Sequence, residues 1–358
     1  MPWPDGDSDH HDAVPEQPRG RPTMRDVAAA AAVSIKTVSR VVHDYPFISD
    51  DVRERVQAEI RRVDFQPNTN AASLRRRDRS VGGIGVLVAD LADPFYAAML
   101  TGVESVSGAL GFSMLVASSG EDPVRERGLI GAFVTRRLDG LIVTSADAQH
   151  DYLRKDLDAG TRMVFADRPP CGLPVDCVLG AHAQGARAAV EHLLARGHRA
   201  VAYVGHDSSI YTARQRLDGY RSALSDAGIV VDERLVRTDA GDADRAYAVT
   251  AGLMAAVGAP TAVFVDNPRI AGGVARALAD SAAPLTGLVV FDDSELVRTL
   301  GISVVRQDPQ ELGRRAAELL FARLDGDADA PRRVVQPVTL ITRGSGEGAG
   351  VALRPGRS

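Results

Sequence analysis

Residues 23–42 read TMRDVAAAAAVSIKTVSRVV, and this pattern decides what kind of chain follows. Thr23 with Asp26 three residues on is a capping-box arrangement. The hydroxyl accepts from the Asp26 amide, the carboxylate reaches back to the Thr23 amide, and a helix starts through the alanine run. Val33 and Ser34 break that run, and Ser34 supplies the N-cap of a second helix over residues 35–43. On that helix Val38, Val41 and Val42 take the i, i+3, i+4 spacing of a buried face, which turns Lys36, Thr37, Ser39 and Arg40 outward. Such an outer face suits a DNA major groove, where Arg40 has the planar fork that pairs with a guanine edge. Any small three-helix domain also fits this pattern, so DNA binding needs support from further along the chain.

The support comes next. Ser49 is placed to cap a third helix whose Val52, Val56, Ile60 and Val63 form an apolar stripe, enough to close a core over the first two, and Phe65-Gln66-Pro67 ends it. Beyond Pro67, NTNAASLRRRDRS has Leu74 as its one large apolar residue, too little to hold a helix by packing, which predicts disorder without a partner. Residues 23–80 resemble the DNA-binding headpiece and hinge of the LacI/GalR (lactose-repressor) family, in which a VSxxTVSRV recognition helix is followed by a PNxxAxxLR hinge. Val33-Ser34, Thr37-Val38-Ser39-Arg40-Val41, Pro67-Asn68, Ala71 and Leu74-Arg75 stand in those places. The resemblance implies DNA contacts from Thr23, Ser34, Ile35, Lys36, Thr37, Ser39 and Arg40, and from Asn68, Ala71, Leu74 and Arg75 of the hinge. It also implies that the hinge folds on operator DNA, with the Leu74 pair of a homodimer wedged into the minor groove. Ala32 departs from the family's glycine in the helix-turn-helix turn, which predicts strain there.

From Val81 the pattern changes to apolar runs alternating with helical segments. GGIGVLVAD, FSMLVASS, GLIVTS and RMVFAD read as buried parallel strands, with helices over 95–110, 125–137 and 152–159. A second series follows: strands AVAYVGH, ERLVRTD, TAVFVDN, GLVVFDD and ISVVRQD, with helices around 186–196, 215–227, 246–257, 270–280 and 310–324. Two similar doubly wound halves imply a cleft at the C-terminal strand ends, with polar loop residues on both walls. This gives an all-α helix-turn-helix headpiece followed by an α/β core of two parallel-sheet subdomains. The expected boundaries are a tail at 1–22, the headpiece at 23–66, the hinge at 67–80, the core at 81–345 and a second tail at 346–358. Within the core, residues 81–179 with 309–335 form one half and 180–308 with 336–345 the other.

The core resembles the periplasmic-binding-protein-like core of the same family, in GFSMLVASSGEDPVRERG, RLDGLIV, FADRP, EHLLARGHR, RLDGYRSAL, VFDDSE and RQDPQELGRRAAELL. The resemblance implies effector contacts from Asp93 and Phe95 after the first strand, Asp167, Arg216, Asn267 and Asp292. Carboxylates, an amide and a guanidinium ringed by apolar walls suit a sugar or another polyhydroxylated ligand, because each hydroxyl both donates and accepts. Helix capping competes with ligand contact at Asp93. Three departures affect the pocket: Pro268 follows Asn267 where the family has Asp, Val290 replaces a glycine, and an aromatic expected near Gly241 is absent. They predict a pocket wider on that side and short of one carboxylate.

Composition agrees. Among 358 residues with a net charge of −5, residues 21–79 hold 12 Arg or Lys against 8 Asp or Glu, a balance of +4 that leaves −9 elsewhere. No apolar run approaches a membrane span and no secretory signal opens the chain, which predicts a cytoplasmic protein with no membrane partner. Residues 1–22, rich in Pro, Asp and Gly, read as a disordered tail, and His10-His11-Asp12 within it is too loose a set to hold a metal. Cys171 and Cys177, without a second pair, read as free thiols. Gly82-Gly83-Ile84-Gly85 does not complete a dinucleotide fingerprint, and no phosphate loop or nucleophile elbow is present; His192 and His198 flank a helix end as packing and capping groups. These features argue against the alternative of an α/β enzyme carrying an accessory DNA-binding headpiece, and no catalytic residue or cofactor is expected. A transport binding protein would need an export signal and no headpiece. The expectation is a ligand-controlled regulator, a repressor by the family's habit, that binds a pseudo-palindromic operator as a homodimer, with pairing of dimers into tetramers left open.

Overall fold

The computed structural model describes residues 22–42, 45, 47–65, 82–281 and 287–345. The chain divides into two compact units, Met1–Arg79 and Ser80–Ser358. In the first, α1 (Met24–Ala30), α2 (Ile35–Val42) and α3 (Asp50–Arg62) enclose a core of Val27, Ala28, Ala31, Val38, Val41, Val56 and Phe65. The capping box at the start of α1 is complete, with Asp26 accepting from the Thr23 amide at 2.7 Å. At its end the Val33 amide donates to the Ala28 carbonyl at 3.0 Å and the Ala32 amide to that of Ala29 at 3.3 Å. This is a Schellman closure, which places Ala32 in the left-handed region at φ 52°. The strain expected from the missing glycine is therefore present. Ser34 Oγ accepts from the Thr37 amide at 3.0 Å and starts α2. Ser49 differs from expectation: it stands at the N-cap of α3, yet its side chain makes no capping hydrogen bond. Asp50 and Asp51 in the first turn meet the positive end of the helix dipole instead.

The second unit contains two six-stranded sheets. The first has the order β11-β5-β4-β3-β1-β2 and is parallel throughout, with β1 Gly83–Val88, β2 Ser113–Ser118, β3 Gly140–Val143, β4 Arg162–Ala166, β5 Asp176–Gly180 and β11 Arg333–Gln336. The second runs β12-β10-β9-β8-β6-β7, with β6 Val201–Val204, β7 Val236–Arg237, β8 Ala262–Val265, β9 Gly287–Phe291 and β10 Ser303–Arg306 parallel, and β12 Thr339–Ile341 antiparallel at one edge. Helices α4 (Pro94–Ala109), α5 (Pro123–Thr135), α6 (Arg154–Asp158) and α12 (Pro309–Leu324) belong with the first sheet. Those with the second are α7 (His182–Ala195), α8 (Tyr211–Asp226), α9 (Ala243–Ala255), α10 (Pro268–Asp280) and α11 (Glu295–Thr299). Residues of the central strands β1, β3, β8 and β9 are buried throughout, as a sheet covered on both faces requires. Helices α4 and α12 touch backbone to backbone, since a Cβ on Gly102 or Gly313 would overlap the main chain of the other helix.

Three strands and a helix were not foreseen: β5, β11, β12 and α11. Residues 333–341 straddle Pro337, which sends β11 to one sheet and β12 to the other; both are edge strands with half-exposed side chains, so no apolar run marks them. The strand expected over ERLVRTD shrinks to Val236–Arg237, because Glu233–Leu235 forms a 3₁₀ turn. The chain passes between the two sheets three times: at Ala181, at Gln307-Asp308 and at Pro337-Val338. No helix among the described residues is long and apolar enough to cross a membrane.

Candidate DNA-reading helix and effector cleft

Helix α2 presents the face expected of it. Val38 and Val41 are buried, Ile35, Lys36 and Arg40 are exposed, and Thr37 and Ser39 lie half-buried. The Thr37 hydroxyl is 2.8 Å from Ser34 Oγ and the Arg40 guanidinium lies 5.5 Å from the centre of the Tyr45 ring, so both are held at the helix surface. Thr23 is exposed and its hydroxyl donates to Asp26 at 2.7 Å. Asn68, Ala71, Leu74, Arg75 and the two tails, with His10-His11-Asp12, lie outside the described residues.

In the second unit, the C-terminal ends of both sheets open onto one cleft of about 780 Å³. Asp93, Phe95, Asp167, Arg216, Asn267 and Asp292 all line it. Asp93 and Asn267 also cap helices: Asp93 Oδ1 accepts from the Phe95 amide at 2.9 Å to start α4, and Asn267 Oδ1 from the Arg269 amide at 2.9 Å to start α10. Pro268 occupies the first turn of α10, where a missing amide hydrogen costs nothing. Val290, buried in β9, packs in the core of the second half.

Asp167 and Asp292 are structural counterparts. Each follows the fourth strand of its half, each lies in the left-handed region (φ 66° and 69°), and each donates its amide to the neighbouring strand, Val178 or Val305, at 2.8 Å. Left-handed backbone at an Asp costs on the order of 1 kcal/mol. Here it ends the strand and delivers a carboxylate to the cleft.

A buried chain of polar groups connects these two aspartates. The Tyr96 hydroxyl donates to Asp167 at 3.2 Å, and Asp167 Oδ1 lies 3.5 Å from His182 Nε2 without hydrogen-bond alignment. His182 Nδ1 is 3.4 Å from an Arg216 nitrogen that also donates to Asp292 at 3.1 Å, and the Gln307 amide donates to Asp292 at 2.9 Å. Arg216 is stacked 4.0 Å from the Phe291 ring centre and donates to the Asp266 carbonyl. His182 and Gln307 sit at the first two crossovers. Across the cleft, Arg269 of the second half pairs with Asp90 of the first at 2.7 Å.

These contacts set the charge states. Burial pushes the Asp167 carboxyl up, but His182, Arg168 and Arg216 outweigh it, so the group stays below the usual carboxylate range. Burial raises Asp292 despite Arg216 and Gln307, and raises Asp93. Burial lowers His182, which keeps the imidazole neutral between Asp167 and Arg216. Asp167 therefore stays ionised, with its Oδ1 buried and turned toward the His182 Nε2 proton rather than toward open cleft.

Sequence reasoning missed Tyr96, His182 and Gln307. Their signal was weak, a polar residue just past a strand end or a hydroxyl on an otherwise apolar helix face.

A second buried cluster has the residue types of a hydrolase and the wrong polarity. The Cys171 amide donates to His150 Nδ1 at 2.8 Å, so the neutral ring carries its proton on Nε2, 2.8 Å from Ser145 Oγ, and the serine donates onward to Glu126 at 2.6 Å. Burial lowers His150 and favours that neutral form. The imidazole cannot accept the serine proton, so the cluster holds the β3–α6 loop without activating a nucleophile. His198 Nδ1 is 3.2 Å from the Thr261 hydroxyl, Cys171 and Cys177 are free thiols, and no metal-binding cluster is found among the described residues.

Comparison with known proteins agrees with this anatomy. Residues 23–68 match the family "bacterial regulatory proteins, lacI family", and residues 190–346 match a periplasmic binding protein-like domain. The HTH-type transcriptional regulator PtxS of Pseudomonas aeruginosa is 32% identical over 335 residues, covering 91% of this chain and 96% of that protein. DegA of Bacillus subtilis, another HTH-type transcriptional regulator, is 29% identical over 343 residues, covering 90% and 97%. The crystal structure of the lac repressor dimer bound to operator and the anti-inducer ONPF superposes with a TM-score of 0.78 at 26% identity, covering 92% of this chain and all of that one. With a recognition helix in one unit and a two-walled cleft in the other, the chain belongs to the LacI/GalR family of DNA-binding transcriptional regulators.

Proposed function

We propose that the chain is a cytoplasmic repressor that binds a pseudo-palindromic operator as a homodimer and changes its operator affinity when a polyhydroxylated ligand occupies the cleft. Ile35, Lys36 and Arg40 read base edges, while Thr23, Ser34, Thr37, Ser39 and the hinge residues Asn68, Ala71, Leu74 and Arg75 position the protein on the duplex. The ligand is held by Asp93, Phe95 and Asp167 from one half and by Arg216, Asn267 and Asp292 from the other.

The observation that carries this reading is the buried Asp167–His182–Arg216–Asp292 chain, which runs along the cleft from one half to the other and ties the two walls' polar groups together. Carboxylates, an amide and a guanidinium gathered on both walls can accept from and donate to the hydroxyls of a polyol, each of which does both. A ligand touching both halves favours one arrangement of them over another, and only that difference in affinity transmits to the operator.

The test is operator binding by fluorescence anisotropy with candidate sugars, comparing wild type with Asp292→Ala and the milder Asp292→Asn. Loss of the ligand response with operator affinity retained supports the reading. A response at the wild-type ligand concentration in both variants places the effector elsewhere.

A further inference from the structure

Tyr45 follows the end of α2, and three contacts fix it there. Its amide donates to the Arg40 carbonyl at 2.9 Å, which satisfies one of the carbonyls that the last turn of the helix leaves open. Its own carbonyl accepts from Arg53 of α3 at 2.9 Å. Its ring meets that of Phe47 edge-on, with centres 6.2 Å apart and planes at 64°. Yet both rings are exposed, and neither belongs to the core that the three helices enclose. A side chain held this firmly outside the core has some other use than packing.

What the ring touches is Arg40, whose guanidinium carbon lies 5.5 Å from its centre, within reach of a cation–π contact. A stacked guanidinium spends only its face. Its five N–H groups lie in the plane of the fork and stay available. Among the described residues the Arg40 side chain has no hydrogen-bond or ion-pair partner. Arg55 and Arg62 on α3 differ, since they turn to Asp51 and Glu59 and part of their donor set is taken. Arginine is also among the side chains with the most rotamer freedom to lose, so holding it in place beforehand lowers what docking costs.

Resting on the reading of Arg40 as a residue that reads base edges, we propose that Tyr45 is a positioning residue for operator specificity. Its ring holds the Arg40 fork at the surface of α2 with every donor free before DNA arrives, and Tyr45 itself reads no base. The cation needs a π face, so an aromatic replacement should serve in its place and an aliphatic one should not.

The experiment selects duplexes from a randomised pool with the full-length wild type. Fluorescence anisotropy then gives affinities for the selected duplex, for single-base-pair changes in it and for random duplex. The proteins compared are wild type, Arg40→Ala, Tyr45→Phe, Tyr45→Trp, Tyr45→Leu and the Arg40→Ala/Tyr45→Leu double variant. Thermal unfolding checks the fold, and Tyr45→Met repeats the test if Tyr45→Leu disturbs it. Arg40→Ala should remove the preference at the base pair that Arg40 reads. Tyr45→Leu should reduce discrimination at that same base pair about two- to fivefold, the worth of an exposed cation–π contact. It should leave random-sequence affinity and the salt slope as they are, because no phosphate contact is lost. Tyr45→Phe and Tyr45→Trp should keep the wild-type preference, and in the Arg40→Ala background Tyr45→Leu should change nothing further. Three results overturn the proposal and leave the reading of Arg40 standing: wild-type discrimination in Tyr45→Leu, equal weakening on selected and random DNA, or a loss that persists without Arg40. If Arg40→Ala alters no base preference, the proposal and that reading fail together.

Discussion

Ala32→Gly should stabilise the DNA-binding unit, and the size of the effect follows from the turn. Ala32 holds the left-handed position of the Schellman closure of α1, with φ 52°, and its side chain is exposed, so removing the methyl loses no packing. Left-handed backbone costs an alanine about 1–2 kcal/mol relative to the right-handed region. Glycine escapes that penalty but gives the unfolded chain more freedom, which opposes the gain by about 0.4–1 kcal/mol. The net stabilisation is about 0.5–1 kcal/mol, equivalent to a shift of roughly 2–8 °C in a small domain. Native-state hydrogen exchange is the assay, because it separates this unit from the core. The Val33 amide, which donates to Ala28, and the buried amides of α2 and α3 should exchange about two- to fivefold more slowly, with core amides unchanged. Exchange that is unaltered or faster would refute the assignment of strain to Ala32.

Replacing Lys36 or Ile35 should change which bases the protein prefers, with about 1–3 kcal/mol of discrimination for each good bidentate contact, whereas Arg75→Ala should weaken all sequences alike and flatten the salt dependence; operator selection experiments separate the two. Asp292→Ala removes the carboxylate from a buried pair and should destabilise the core by about 3–5 kcal/mol in denaturant titrations, with Asp292→Asn costing less. Because burial depresses His182 below its ordinary 6.5, the stability it contributes is complete above pH 6.5 and is lost as pH falls through its folded value. Core stability should therefore decline on acidification below pH 6.5, by up to about 1.4 kcal/mol per pH unit for this residue, and His182→Asn should flatten the profile.

The parts of the molecule that repeat a simple rule could be read directly. Capping at Thr23 and Ser34, the apolar stripe of α2 and the continuous apolar runs of β1, β3, β8 and β9 each use one local signal, and the structure follows them. The anomaly at Ala32 was legible for the same reason, since a tight turn without glycine has few conformations left. The polar chain of the cleft was only half legible. Asp167, Arg216, Asp292 and Gln307 all stand in segments that resemble the family's core, but the part played by Gln307, like that of His182, comes from the crossovers, which bring residues more than a hundred positions apart into one buried line. No local pattern encodes that. Ser49 shows the opposite error: the right residue type at the right place, with its hydroxyl unused because two carboxylates already suit the helix end. Strands β11 and β12 escaped because each is short, half-exposed and at an edge, so its place is fixed by partners in the sheets.

The three passages of the chain between the sheets also set a schedule for synthesis. The first sheet is incomplete at its β5 edge until β11 arrives, and α4 has no partner until α12 has been made. At about 5–20 residues per second, the stretch from Gly180 to Gln336 leaves a ribosome over on the order of ten to thirty seconds. Throughout that interval the apolar face of α4, including Met99 and Val103, lacks the Leu312, Ala316 and Leu320 that cover it in the finished protein. The second sheet, by contrast, has all its strands but the edge β12 once Arg306 emerges. The half made first therefore stays open until the chain is almost complete, and a nascent chain halted near residue 308 should carry a second half lacking only its edge strand beside a first half still open to chaperones and proteases.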